Sequence, residues 1–132
     1  MVASFEKIKE MIAALGVYGD VEFGFTLNGH DYVVIQYDDS CTIQRCGYSA
    51  TMAAELGSDY VGSGEFPFST LDELYAATTV DGICLKDCWD QIEGMTIEDN
   101  TLDEFPFIVE AYENSPKKQA GREMKNKRLG RT

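Results

Sequence analysis

The chain has 132 residues and a formal net charge of -12, with 44% hydrophobic and 11% aromatic residues. That is the length of one ordinary domain with ample apolar material for a core, which argues against global disorder. No apolar run approaches the roughly 20 residues of a transmembrane helix, and a pI near 4.3 argues against the whole chain coating nucleic acid or an anionic membrane.

The N-terminal stretch MVASFEKIKEMIAAL carries charge inside its apolar pattern, which marks an amphipathic helix and not a signal peptide. Ser4 is the expected N-cap, Phe5, Ile8, Met11, Ile12 and Leu15 share one helical stripe, and Gly16 is a stop. Val21 to Leu27 then alternates as a strand. Asn28-Gly29 predicts a hairpin into a return strand from His30 to Tyr37. Asp38-Asp39-Ser40 makes a second turn, and Cys41 to Tyr48 reads as a third strand.

Residues 49–65 read as a short helix or a loop, and Gly62-Ser63-Gly64 lacks the lysine and spacing of a phosphate-binding loop. Phe66-Pro67-Phe68 suggests a short edge segment. Thr70 and Glu73 fit a capping box that opens a second helix to about Ala77. A third helix is expected from about Ile83 to Glu93, with Leu85, Cys88, Trp89 and Ile92 buried. Met95 to Asn100 reads as extended, and Phe105 to Ala111 as a strand or a helical turn. Ser115-Pro116 opens a last helix that Gly130 could end, with few apolar residues and Gly121 as an interior flaw. The expected fold is α+β: a three- to four-stranded antiparallel meander packed against three helices, followed by a basic C-terminal tail. Phe23, Phe25, Val33, Ile35, Leu74 and Trp89 are the expected core.

Catalytic and metal chemistry find little support. Cys41, Cys46, Cys84 and Cys88 lack the close C-x2-C pairs usual for structural zinc, so free thiols are the default over zinc or a disulfide. His30 is the only histidine and has no local nucleophile signature. The acid pairs lack the ligand alternation of a calcium loop. The reading is therefore a non-enzymatic protein with no catalytic residues, no metal site and no cofactor.

Charge is the anomaly. Residues 1–113 hold four bases against 22 acids, a net of -18, and residues 114–132 hold seven bases against one acid, a net of +6. That divides the chain into an acidic α+β domain, 1–113, and a basic tail or helix, 114–132. The loop acids Asp38, Asp39, Asp59, Glu65, Glu98, Asp99, Asp103 and Glu104 are the candidate partner-binding residues. Lys117, Lys118, Arg122, Lys125, Lys127, Arg128 and Arg131 make up the electrostatic tail. The tail could neutralise phosphates, fold onto the acidic body, or stay solvated.

Five stretches carry a resemblance: Phe5-Glu6-Lys7-Ile8-Lys9, Val21-Glu22-Phe23, Leu27-Asn28-Gly29-His30-Asp31-Tyr32, Phe68 to Leu74, and Asp81 to Asp90. Over residues 4–93 the chain resembles small acidic, uncharacterised proteins of phages and mobile elements of Gram-positive bacteria. The resemblance implies a fold and a genetic neighbourhood, and by class analogy an anti-CRISPR type of activity. The expectation is a cytoplasmic protein of a bacterial host cell, not of the membrane. It would occlude the nucleic-acid surface of a basic partner such as a CRISPR nuclease. The alternative is a small nucleic-acid-binding accessory protein acting through its basic tail.

Overall fold

The computed structural model describes residues 3–46 and 66–128. The expectations for residues 47–65 and 129–132 lie outside them, including Gly62-Ser63-Gly64 and the stop at Gly130. In chain order the elements are α1 (Phe5–Gly16), β1 (Val21–Leu27), β2 (His30–Gln36), β3 (Cys41–Arg45), β4 (Phe66–Phe68), α2 (Leu71–Ala76), α3 (Leu85–Cys88), β5 (Glu93–Ile97), β6 (Asn100–Thr101), α4 (Phe105–Glu113) and α5 (Pro116–Arg128). The six strands form one antiparallel sheet in the order β4-β3-β2-β1-β5-β6.

The α+β class agrees with the sequence reading, while the strand and helix numbers exceed it. The outermost strands are short edge pieces, and β4 falls on the expected edge segment Phe66-Pro67-Phe68. β4 is three residues with Pro67 at its centre, tolerable only at an edge where no further strand needs its missing N–H. β6 is two residues, too short for alternation to show. The long third helix is corrected. One α turn, Leu85–Cys88, passes into a 3-10 turn, Trp89–Gln91, and the chain then extends into β5. Gly94 with φ 59° takes the left-handed conformation at that switch. The expected stripe is nevertheless largely satisfied, since Leu85 and Ile92 are buried and Cys88 and Trp89 pack against the core.

The hairpin fixes which side chains face inward. Asn28 and Gly29 both have positive φ, 52° and 80°, the geometry of a two-residue turn whose twist matches the strands. It pairs Leu27 with His30, Phe25 with Tyr32 and Phe23 with Val34. Val21, Phe23, Phe25 and Leu27 are all buried, so Tyr32 and Val34 are buried beside them. Val33 and Ile35, expected in the core, therefore fall on the opposite face and are only half-buried. Cys41, Ile43, Met95 and Ile97 complete the inner face.

Helices cover that inner face. Ser4 caps α1 by accepting from the Lys7 amide at 3.1 Å, and Phe5, Ile8, Met11, Ile12 and Leu15 pack inward. Thr70 caps α2 by accepting from the Glu73 amide at 3.2 Å. The Glu73 carboxylate accepts from the Ser69 amide at 3.3 Å, one residue earlier than a standard capping box. Trp89 donates to the Ala3 carbonyl at 2.8 Å, and its ring lies against Phe5, Phe23 and Tyr75. Among the described residues no helix is long and apolar enough to cross a membrane.

The basic tail folds onto the body. Lys125 is only 7% exposed; its Nζ donates to the Gly16 carbonyl and lies 3.3 Å from Asp38 Oδ1. Arg128 also pairs with Asp38. Arg122 lies over the Tyr18 ring at 5.8 Å, and Lys118 over Tyr112 at 4.5 Å. Gly121 is a contact point here: a Cβ added to it would sit 2.8 Å from the Tyr18 carbonyl oxygen.

Candidate functional site: the open face of the sheet

The strand register that buries Tyr32 and Val34 places Glu22, Gly24 and Thr26 of β1 on the other face. Asp31, Val33 and Ile35 of β2, Gln44 of β3 and Thr96 of β5 lie there too. These residues line a cavity of about 360 Å³ together with Cys46, Gly94 and Asp99. No described helix contributes to its lining.

Gly24 makes the depression. A Cβ at Gly24 would meet the Thr96 hydroxyl at 2.7 Å, so any larger residue there would have to displace the Thr96 side chain. The β1–β5 register shifts between Gly24 and Thr26, the kind of irregularity that increases local twist in a strand pair. Asp31 Oδ1 accepts from Thr26 Oγ1 at 2.7 Å, which orients that carboxylate. Asp99 enters from the β5–β6 turn, where Glu98 and Asp99 both have positive φ, 50° and 63°.

The electrostatics are one-sided. Glu22, Asp31 and Asp99 line the cavity, and among the described residues no lysine, arginine or histidine does. The described ion pairs lie elsewhere: Lys7–Glu10, Lys9–Glu6 and Lys9–Asp72 on the helical side, Arg45–Asp81 at the inner-face edge, and Lys125 and Arg128 with Asp38. The Cys46 thiol is pushed up first by burial and then by the charges of Asp31 and Glu22. A thiol held in its protonated form is the opposite of an activated nucleophile. His30 is exposed on the hairpin and does not line the cavity. Among the described residues no three His, Cys, Asp or Glu side chains converge to hold a metal ion. All four cysteines are free thiols. Cys88 donates to the Cys84 carbonyl at 3.2 Å, and burial pushes the Cys41 thiol up to about 11.

The acids expected to contact a partner are divided by the fold. Asp38 is turned inward by Lys125 and Arg128, its side chain 19% exposed, whereas Asp39 beside it is exposed. Glu98 serves the fold, accepting from the Tyr112 hydroxyl at 2.9 Å and from the Glu22 amide at 3.4 Å. Burial, followed by that Glu98 bond, holds the Tyr112 hydroxyl well above its ordinary value. Asp99 lines the cavity. Asp103 and Glu104 are exposed on the next turn, where Thr101 bonds Glu104 at 3.2 Å and holds the Asp103 carboxyl below its ordinary value. Asp59, Glu65 and Arg131 lie outside the described residues. In the tail, Lys118, Arg122, Lys125 and Arg128 make contacts within the molecule, while Lys117 and Lys127 are exposed. Glu22 and Asp31 were missed by selecting acids in loops. The signal that finds them is the hairpin register, which puts them on the face opposite Phe23 and Tyr32.

No family model matches the chain, and no curated protein or solved structure is significantly similar to it.

Proposed function

We propose that the protein is a non-enzymatic acidic interaction protein that covers the nucleic-acid-binding surface of a basic partner. A bacterial immune effector such as a CRISPR nuclease is the first partner class to test. The observation that carries this reading is charge segregation. The basic helix α5 neutralises Asp38 at one end of the body, while the open sheet face keeps Glu22, Asp31 and Asp99 without a base among its lining residues. A domain of this size spans roughly 35 Å. Duplex DNA carries roughly 20 phosphates over that length, the same order as the net charge of -12 that the chain carries with its basic helix included. Carboxylates on such a face would pair with the arginines and lysines that otherwise hold phosphates, and long-range attraction would speed encounter.

The second reading, nucleic-acid binding through the tail, loses support from the docked helix, because Lys125 and Arg128 are held by Asp38.

The test is competition. A guide-loaded CRISPR nuclease is titrated with the protein, and binding of its DNA target is followed as salt rises from about 50 to about 300 mM, a range over which phosphate-mimicking contacts weaken steeply. Displacement of DNA that fades with salt supports the reading for this partner class. Tight association insensitive to salt, or no displacement at low salt, removes it.

A further inference from the structure

The open-face cavity combines two kinds of surface. Its floor is apolar or bare: Val33 and Ile35 half-buried, and Gly24, whose missing side chain leaves the depression. Its rim is anionic and comes from three places in the chain: Glu22 on β1, Asp31 on β2 and Asp99 in the β5–β6 turn. Gln44, Thr26 and Thr96 add polar atoms between floor and rim. Asp31 is already oriented by Thr26, with its second oxygen outside that bond.

A ligand matching both surfaces has a methylene stem and a cationic head. Simple cations lack the stem, and aliphatic side chains lack the head. Lysine and arginine have both, laying the stem on apolar surface while the charge reaches the rim. Arginine fits better, because its planar guanidinium offers donors in several directions and pairs with carboxylates two bonds at a time. A volume of about 360 Å³ leaves room for one long side chain together with flanking backbone.

We infer that this cavity is the seat of a single arginine side chain presented by the basic partner. The inference rests on the acidic-interaction reading above and names the contact by which that reading would work.

The experiment uses the full chain and a defined probe. A pentapeptide of one arginine flanked by glycines is titrated into the isotopically labelled protein and followed by NMR. Citrulline, which keeps the shape and loses the charge, replaces arginine in one control peptide, and lysine replaces it in another. Saturable shifts are expected at the amides of Gly24, Thr26, Val33, Thr96 and Asp99, with citrulline and lysine peptides binding at least tenfold more weakly. The double variant Asp31→Asn with Asp99→Asn should weaken the arginine peptide at least tenfold. Asp87→Asn with Asp90→Asn, which removes the same charge from the region of α3, should leave it within twofold.

Equal binding of the citrulline or lysine peptide overturns the assignment, and that arm needs no variant to fold. Equal loss in both double variants also overturns it, since it would show diffuse charge attraction and no seat. Neither result touches the nuclease competition. Failure of that competition with an intact arginine seat would instead remove the partner class.

Discussion

Lys125 Nζ stands 3.3 Å from Asp38 Oδ1 and donates to the Gly16 carbonyl, so one buried cation ties the last helix to the β2–β3 turn and the end of α1. A cation near a helix C-terminus interacts favourably with its free carbonyls. The pair is sheltered, with the lysine side chain 8% exposed. Removing one partner of such a pair leaves the other charge stranded, at a cost of about 3 kcal/mol or more. Asp38→Asn should therefore lower the urea unfolding free energy by about 3 kcal/mol and speed amide exchange along α5. Lys125→Met should cost less, because Arg128 still serves Asp38 and methionine fills most of the volume. A change below about 0.5 kcal/mol for Asp38→Asn would show that the contact holds nothing in place.

Gly121 offers a prediction whose sign separates local from tertiary physics. In an isolated helix, Gly→Ala gains about 1 kcal/mol. Here the new Cβ would lie 2.8 Å from the Tyr18 carbonyl oxygen, and a backbone atom cannot swing aside. The helix would have to lift, loosening the Arg122–Tyr18 and Lys118–Tyr112 contacts. Gly121→Ala is expected to lower stability by about 1–2 kcal/mol, the usual scale of overpacking. Thermal unfolding reads it directly, and a raised melting temperature would mean that α5 docks elsewhere.

The β1–β2 register predicts a contrast between adjacent valines. Val34 is buried opposite Phe23, while Val33 lies on the open face opposite Gly24. Val34→Ala should cost about 2 kcal/mol through the cavity it leaves, and Val33→Ala under about 1 kcal/mol. Chemical denaturation of the two variants distinguishes the faces. Equal costs would mean that the open face is sealed like a second core.

That contrast also shows how much could be read from the chain. Ser4, Thr70 and Asn28-Gly29 act through hydrogen bonds or φ angles within a few residues, so caps and the first hairpin were legible. The faces of β2 were legible too, but only by carrying the two-residue turn into the pairing, which sends Val33 and Ile35 away from Phe23 and Phe25. Alternation within β2 alone does not settle it, because Tyr32, Val33, Val34 and Ile35 are all apolar. The edge segment Phe66-Pro67-Phe68 was legible and forms β4, whereas the two-residue β6 and the turn from Trp89 into β5 were not, since tertiary packing decides such brief segments. Neither was the cavity: Gly24, Thr96 and Asp99 meet only when β5 returns beside β1, a pairing of distant segments that no local pattern encodes. The charge split between body and tail was plain in the sequence, whereas its internal cancellation at Asp38 required the docked helix.

Alkaline pH should loosen the fold through two groups that burial keeps protonated. The Cys41 thiol is pushed from 9.0 up to about 11 by burial, with the charge of Glu73 adding to it. Tyr112 is raised from 10.0 by burial and by its hydrogen bond to Glu98. A raised folded value means that the native state holds its proton after the unfolded chain has released it. The associated stability is then complete below the unfolded value and is lost as pH climbs through the folded one. For Cys41 the loss should begin near pH 9 and continue through about 11, with Tyr112 adding to it above pH 10. Tyr112→Phe should lower stability at neutral pH, because Glu98 loses a donor, and flatten the decline above pH 10. Urea unfolding between about pH 8 and pH 11 reads both effects. A free energy that stays level or rises across that range would show that neither group is buried as described.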